Sequence, residues 1–366
     1  MKILVISHYN SYVSSRPEAE VFLQLKKKGF HIDVVCEPDS RLSEIFKENG
    51  IGVFHFHPQT KNDKSSQKQI RELLIKGEYD FLHLFNSKAT LNGLAASKGL
   101  DVKIILYRGY TGNIHWYDPT IYFKFLNPRV DAIWCNSQSI KELFCRQPTF
   151  KCKKAYAINK GHLPEWYAST PAIDIRKELN LPEDAFIAVC VANARKMKGM
   201  KYLTDSANYL PKNLPIHYIY IGGGLDTPEV KEIIAKSDYK NNFHFLGYRE
   251  DALSIVKDAD IFTLASITGE SITKALIEAM SLGCPPVATD ISGNKELLIH
   301  EKTSIVVKKE NAASMAQGIL RMFEDEDLRN SISKNAKEHI ATNIHSTNTV
   351  RKLIEMYAEL KPSLAL

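Results

Sequence analysis

A chain of 366 residues with 44% hydrophobic and 25% charged residues exceeds one compact core and is too apolar to be disordered. A formal net charge of +6 and a pI near 8.8 suit anionic ligands or a bilayer surface without requiring either. The lysines at 26–28, 61–68 and 151–154 lack the interleaved aromatics of a nucleic-acid groove, so no nucleic-acid partner is expected.

Met1 leads within two residues into a strand, and no apolar run approaches the ~18 residues that would span a bilayer. The expected location is cytoplasmic, with peripheral contact at the inner face of the plasma membrane left open. Cysteines at 36, 135, 145, 152, 190 and 284 form no C-x-x-C pair and no metal grouping, and are expected to be reduced thiols.

From the N-terminus, short β-rich runs recur at Lys2–Ser7, His31–Cys36, Gly52–Phe56, Phe81–Phe85, Lys103–Leu106 and Ala132–Asn136, separated mostly by helix-like segments. That alternation predicts α/β architecture with a doubly wound parallel sheet. In the first helix, Ser15 and Glu18 read as a capping box, Pro17 falls in the first turn, and Gly29 ends it after three lysines. A long polar loop, Tyr107 to His115, follows a strand at a position where such folds place ligand contacts. Asn159-Lys160-Gly161-His162 reads as hinge structure. Pro164, Pro171 and Pro182 then interrupt the pattern, which places the domain boundary at 163/164.

The alternation restarts at Phe186–Ala192, His217–Ile221, Phe243–Leu246, Ile261–Ala265, Val287–Thr289 and Ser304–Val307, so a second Rossmann-like domain is expected over 164–345. After its first strand comes the basic turn Asn193-Ala194-Arg195-Lys196-Met197-Lys198-Gly199, which can bring cations to phosphates. Gly222-Gly223-Gly224 lets backbone approach a ligand at Gly223 but is no dinucleotide fingerprint. Asp258-Ala259-Asp260 superficially matches a metal-bridging Asp-x-Asp, yet it precedes a strand whose far end carries the polar chemistry, so no metal is expected.

That chemistry lies in Ser266 to Thr273, a loop of small and hydroxylated residues carrying Glu270. Thr273 can cap the helix that follows, which carries Glu278 and ends at Gly283. In a continuous helix the offset from Glu270 to Glu278 would be about 12 Å, so the two are no shared-proton dyad and could hold two parts of one elongated ligand. Amides between them suit phosphate. Near the C-terminus Val350, Leu353, Ile354 and Tyr357 follow helical spacing.

Glu270 to Glu278, followed by Ala279-Met280 and Gly283-Cys284-Pro285-Pro286-Val287-Ala288-Thr289-Asp290, resembles the signature of glycosyltransferase family 4. The resemblance implies GT-B architecture: two Rossmann-like domains facing across a cleft, with residues 346–366 returning to an N-terminal, acceptor-side domain of residues 1–163. It implies retaining transfer from a nucleotide-sugar donor to a glycan or lipid-linked acceptor, as in lipopolysaccharide or capsule assembly, with no cofactor. Glu270 would contact sugar hydroxyls and Glu278 the ribose, while the amides of Ser271, Ile272, Thr273 and Lys274 would face the diphosphate. Lys198 matches the family's basic motif; Asn193 stands where an Arg is expected and Arg195 is its substitute. Gly247, Tyr248 and Arg249 resemble the segment that meets the base, and either His115 or Arg108 takes the place of a His near the donor sugar. A 2-epimerase or phosphorylase of the same architecture and a non-catalytic nucleotide-sugar-binding subunit remain as alternatives.

Overall fold

The computed structural model describes residues 1–112 and 114–364; Asn113 of the polar loop and Ala365–Leu366 at the chain end lie outside the described residues. The chain divides into two α/β units, Met1–Gly161 with the helix Ser346–Leu360, and His162–His345. In the first, strands β1 (Lys2–Ile6), β2 (His31–Cys36), β3 (Gly52–His55), β4 (Phe81–Leu84), β5 (Lys103–Arg108), β6 (Ala132–Cys135) and β7 (Ala155–Ala157) form a parallel sheet in the order β3-β2-β1-β4-β5-β6-β7. In the second, β8 (Phe186–Val191), β9 (Ile216–Ile221), β10 (Phe243–Gly247), β11 (Ile261–Leu264), β12 (Pro286–Thr289) and β13 (Ile305–Val307) run parallel in the order β10-β9-β8-β11-β12-β13.

Both sheets are covered on both faces, which is why their strands read as continuous apolar runs instead of alternating ones. Ile3 and Val5 pack with Phe22 and Leu25 on one face, while Leu4 and Ile6 pack with Ile70 and Leu84 on the other. The same division recurs in the second unit, with Ala188 and Cys190 in one core and Ile187 and Val189 in the other. The helix Ser346–Leu360 buries Val350, Leu353, Met356 and Tyr357 in the first unit's core. Its Tyr357 hydroxyl lies 2.8 Å from His83 Nε2, so a polar pair fixes the helix against β4.

Three local readings need correction. The first helix spans Tyr12–Lys27, a turn earlier than the capping-box reading puts it, with Ser11 as its cap and Pro17 inside it. Glu18 caps nothing: it is buried and its Oε2 lies 2.5 Å from Lys160 Nζ, a charge pairing that outweighs the local capping option. The cysteines are not all thiols, because Cys145 and Cys152 are disulfide-bonded with Cα atoms 4.6 Å apart, while Cys36, Cys135, Cys190 and Cys284 are free and buried. The helix Gln138–Cys145 and the turn Cys152–Lys154 bring that pair together, a juxtaposition invisible as a C-x-x-C pattern. The three-residue strand β7 escaped the sequence reading because its only large apolar residue is Tyr156, amid lysines.

Candidate functional site

In the second unit the chain turns from β8 to β9 on one side and reaches β11 on the other, so the crevice beyond the carboxyl ends of β8 and β11 is a topological switch point. The loops that follow these two strands meet there. Ile267 N donates to Met197 O at 2.8 Å, and Gly199, at φ 64°, sits so close that a Cβ would fall 2.1 Å from Ala265 O. Any larger residue would part the loops. The consequence is that Lys198 and Glu270, 72 positions apart in sequence, form an ion pair with side chains only 13% and 14% exposed. Ser266 Oγ lies 3.4 Å from the same carboxylate, and Thr289 Oγ1 donates to Ser266 O at 2.5 Å.

The next helix spans Lys274–Leu282 with Thr273 at its cap position, but the Thr273 side chain makes no capping bond, contrary to expectation. Instead Thr273 N donates to Asn294 Oδ1 at 3.1 Å. Among the described residues, the buried Thr273 Oγ1 and Asn294 Nδ2 have no hydrogen-bond partner. Two desolvated donors without acceptors are costly unless a ligand supplies the acceptors. Lys274 and Ala275 head this helix, where backbone N–H groups also lack intrahelical partners. Glu278 stands one turn further on, ion-paired with Lys274 and 14% exposed. Gly293 holds the loop from beneath, since a Cβ there would lie 2.1 Å from both Glu270 O and Ser271 O. Ser271 is buried and Ile272 half-buried under this arrangement.

The other expected donor contacts are spread more widely. Arg195 is exposed and lines a cavity of about 700 Å³ with Lys196, Lys201, Leu225, Thr227 and Ile267, among others, while Asn193 is exposed and its carbonyl accepts from Arg195 N at 2.7 Å. Gly223 is open to solvent, and Gly247 ends β10 with its carbonyl accepting from Gly222 N at 2.7 Å. Tyr248 is exposed; the Arg249 guanidinium is held by Asp251 (2.7 Å) and Glu178 (2.6 Å), and these bonds raise its pKa further. Asp258 and Asp260 are engaged at the start of β11: Ile175 N donates to Asp258 Oδ2 (3.0 Å), while Arg176 (2.5 Å) and Ile187 N (2.7 Å) bond Asp260 Oδ2.

In the first unit, Arg108 is buried and donates to the carbonyls of Tyr110 (Nε, 3.0 Å) and Gly112, with its guanidinium over the Tyr110 ring; burial pushes its pKa down. Its donors are used in holding its own loop. His115 is exposed and stacked on Tyr117 at 5.0 Å. Asn159, Lys160 and Gly161 are bonded within this unit, to Asn136 O, Glu18 and Thr349 Oγ1. Burial opposes the Lys160 charge, but Glu18 and Tyr107 outweigh it and raise its pKa.

Sequence reasoning missed a cluster at the carboxyl ends of β1, β2 and β3. His8 Nδ1 and His57 Nδ1 lie 3.4 and 3.7 Å from Glu37 Oε1. Asn86 Oδ1 accepts from Ala89 N, so its Nδ2 donates to His57 Nε2 (3.0 Å), and the His57 Nδ1 proton goes to Pro58 O (3.1 Å). With both ring nitrogens engaged, His57 offers no lone pair to a metal, and burial lowers its pKa to about 4.

A family model described as glycosyl transferases group 1 matches residues 172–339. The chain is 23% identical over 381 aligned positions to an Escherichia coli protein named UDP-Gal:alpha-D-GlcNAc-diphosphoundecaprenol alpha-1,3-galactosyltransferase, covering 94% of this chain and 93% of that one. It is similar in structure to a glycosyltransferase of Rickettsia africae, with a TM-score of 0.82, 20% identity and 98% of each chain covered. Anabaena HepE, solved in complex with UDP, aligns with a TM-score of 0.81 at 18% identity over 98% of this chain and all of that one.

Proposed function

We propose that this chain, a glycosyltransferase of GT-B fold, is a retaining family 4 enzyme that moves a sugar from a nucleoside diphosphate to an acceptor hydroxyl in cell-surface glycan assembly. The observation that carries the reading is the polar constellation beyond β8 and β11: Lys198 against Glu270, and the unspent donors of Thr273 and Asn294 at the head of the Glu278 helix. Diphosphate oxygens supply the acceptors those donors lack, and the helix N-terminus favours their charge. When donor enters, Lys198 turns from Glu270 to the leaving diphosphate and Glu270 accepts from sugar hydroxyls, while Glu278 exchanges Lys274 for the ribose hydroxyls.

Transfer in this site is mainly electrostatic. Charge builds on the departing phosphate as the glycosidic bond breaks, and Lys198 with the loop amides is placed to stabilise it. In front-face attack the leaving oxygen itself receives the acceptor proton, so no side-chain base is assigned. Arg195 is a second cation for the donor. The Gly247–Arg249 segment serves the base, by backbone in the case of Arg249, whose side chain is engaged. The relative named for a diphosphoundecaprenol substrate supports a lipid-linked acceptor for this chain as well, and such an acceptor brings the enzyme to a bilayer. Incubation with UDP- and GDP-sugars and a lipid diphosphate acceptor should release free nucleoside diphosphate with formation of a product that keeps the donor's anomeric configuration. Inertness toward every donor, or a product of inverted configuration, would overturn the proposal.

A further inference from the structure

We propose that residues 110–112 and 114–124 of the first unit, with the disulfide-closed loop behind them, form a docking surface for the anionic headgroups of a phospholipid bilayer. Of ten large hydrophobic side chains exposed among the described residues, five fall within this short stretch: Tyr110, Trp116, Tyr117, Tyr122 and Phe123. They are not a collapsed loop turned outward by chance, because Ile114 and Ile121 of the same segment are each only 3% exposed and anchor it in the core. Between these anchors the chain presents Trp116 and Tyr117 to solvent, and just beyond the second it presents Tyr122 and Phe123. Trp116 is 52% exposed and Phe123 67%. Leaving that much aromatic surface in water is unfavourable unless something covers it.

The neighbouring loop supplies the charge. Cys145 and Cys152 close it, Gln147 Oε1 accepts from Trp116 N at 2.8 Å, and Thr149 Oγ1 lies 3.4 Å from the Tyr122 hydroxyl, so the loop buttresses the aromatic segment. Positions 146–154 contain Arg146, Lys151, Lys153 and Lys154 and no acidic residue, with Lys151 and Lys153 exposed. Lys124, at the end of the aromatic segment, experiences the charges of Lys61 and Arg108, with Asp118 the acidic group that offsets them. Trp and Tyr rings settle at headgroup level, Phe reaches the acyl boundary, and each nearby Lys or Arg adds electrostatic attraction to an anionic leaflet. Both halves of an interfacial anchor are thus present on one buttressed patch. Its use in catalysis rests on the reading of a lipid-linked acceptor; the binding itself does not.

Sedimentation of the full chain with phosphatidylcholine vesicles, with and without phosphatidylglycerol, tests the proposal. Wild type should partition onto the phosphatidylglycerol vesicles, less so in high salt, with a blue shift of tryptophan emission that the variant lacking Trp116 loses; of the other two tryptophans, Trp134 is buried in the core and Trp166 half-buried. The double variant Trp116→Ser/Phe123→Ser should lose about tenfold or more in partitioning, and Lys151→Glu/Lys153→Glu should lose the phosphatidylglycerol dependence. Both should keep their thermal midpoint and their release of nucleoside diphosphate from the nucleotide-sugar when a soluble acceptor takes the sugar. Equal partitioning of wild type and variants, no partitioning by wild type, a dimer abolished by the aromatic variant, or displacement of vesicles by single-stranded RNA would each overturn the docking assignment. Lost partitioning in variants of a chain that transfers no sugar would instead keep the docking surface and sink the transfer reading.

Discussion

Lys198 and Glu270 hold each other as an ion pair, so on the proposed reading removing either side chain does two things: it takes away a contact proposed for the donor and leaves its partner partly buried without that ion-pair partner. Lys198→Ala should lower turnover by roughly 30- to 1,000-fold, since a charge aimed at a leaving group contributes about 2–4 kcal/mol in the transition state. Glu270→Ala should also be severe, and the double variant should cost less than the two single losses multiplied, because the residues are in contact. Independent, multiplicative losses in steady-state kinetics would show that the pair is not a functional unit. His57 gives a second prediction at this scale. Its folded pKa of about 4 lies below the ordinary value near 6.5, so between those pH values the unfolded chain binds more protons and stability falls as the solution is acidified. His83, lowered to about 3 by burial, acts in the same direction. From pH 7 to 5 His57 alone should account for a loss on the order of 1–2 kcal/mol in urea unfolding, reduced in His57→Gln. An unchanged slope in that variant would mean that His57 titrates normally in the folded chain.

The helices and strands that build the site depend on close approaches that only particular residues permit. Gly293→Ala would press a methyl group against the carbonyls of Glu270 and Ser271 and displace the loop that carries them. We expect at least a tenfold loss of donor turnover with nearly unchanged circular dichroism; normal turnover would show that the loop finds another path. The returning helix Ser346–Leu360 has a comparable anchor in Tyr357, and Tyr357→Ala should destabilise the first unit by about 3–5 kcal/mol through lost aromatic packing and the stranded His83. These elements also show what could be read from sequence. Twelve of the strands in the two sheets announce themselves as short β-rich runs, and the helix begins after Thr273 and ends at Gly283 where the sequence places it, although the Thr273 side chain makes no capping bond. The meeting of Lys198 with Glu270, by contrast, needs the pairing of β8 with β11, a long-range fact no local pattern carries. Gly293 and Asn294 support the site by tertiary contact alone, and Glu18 was misread because its partner lies 142 positions away.

For the molecule as a whole, the first unit and the second repeat one architectural plan; among the described residues, unpartnered buried polar atoms occur in both, at His8, Tyr9 and Glu18 in the first and at Thr273, Asn294 and Ser304 in the second, where Thr273 and Asn294 stand at the head of the Glu278 helix. Asp258 and Asp260, the pair most like a metal bridge in sequence, are engaged with Arg176 and the backbone amides of Ile175 and Ile187. Turnover in excess EDTA should therefore equal turnover without it; loss restored by magnesium or manganese would transfer the role of Lys198 to a cation. The Cys145–Cys152 bond was not legible, because seven positions of separation carry no signal until the helix and the turn that follows it are in place. In the proposed binding mode the donor lies along the loop and helix from Glu270 to Glu278, sugar at the first and ribose at the second. Titration calorimetry of UDP and GDP against wild type, Glu270→Ala and Glu278→Ala separates the two roles. Glu278→Ala should weaken the binding of the preferred free nucleoside diphosphate by tenfold or more, while Glu270→Ala leaves it within about threefold of wild type and loses affinity only for the intact nucleotide-sugar. Equal losses of free diphosphate affinity in the two variants, or none in either, would contradict it.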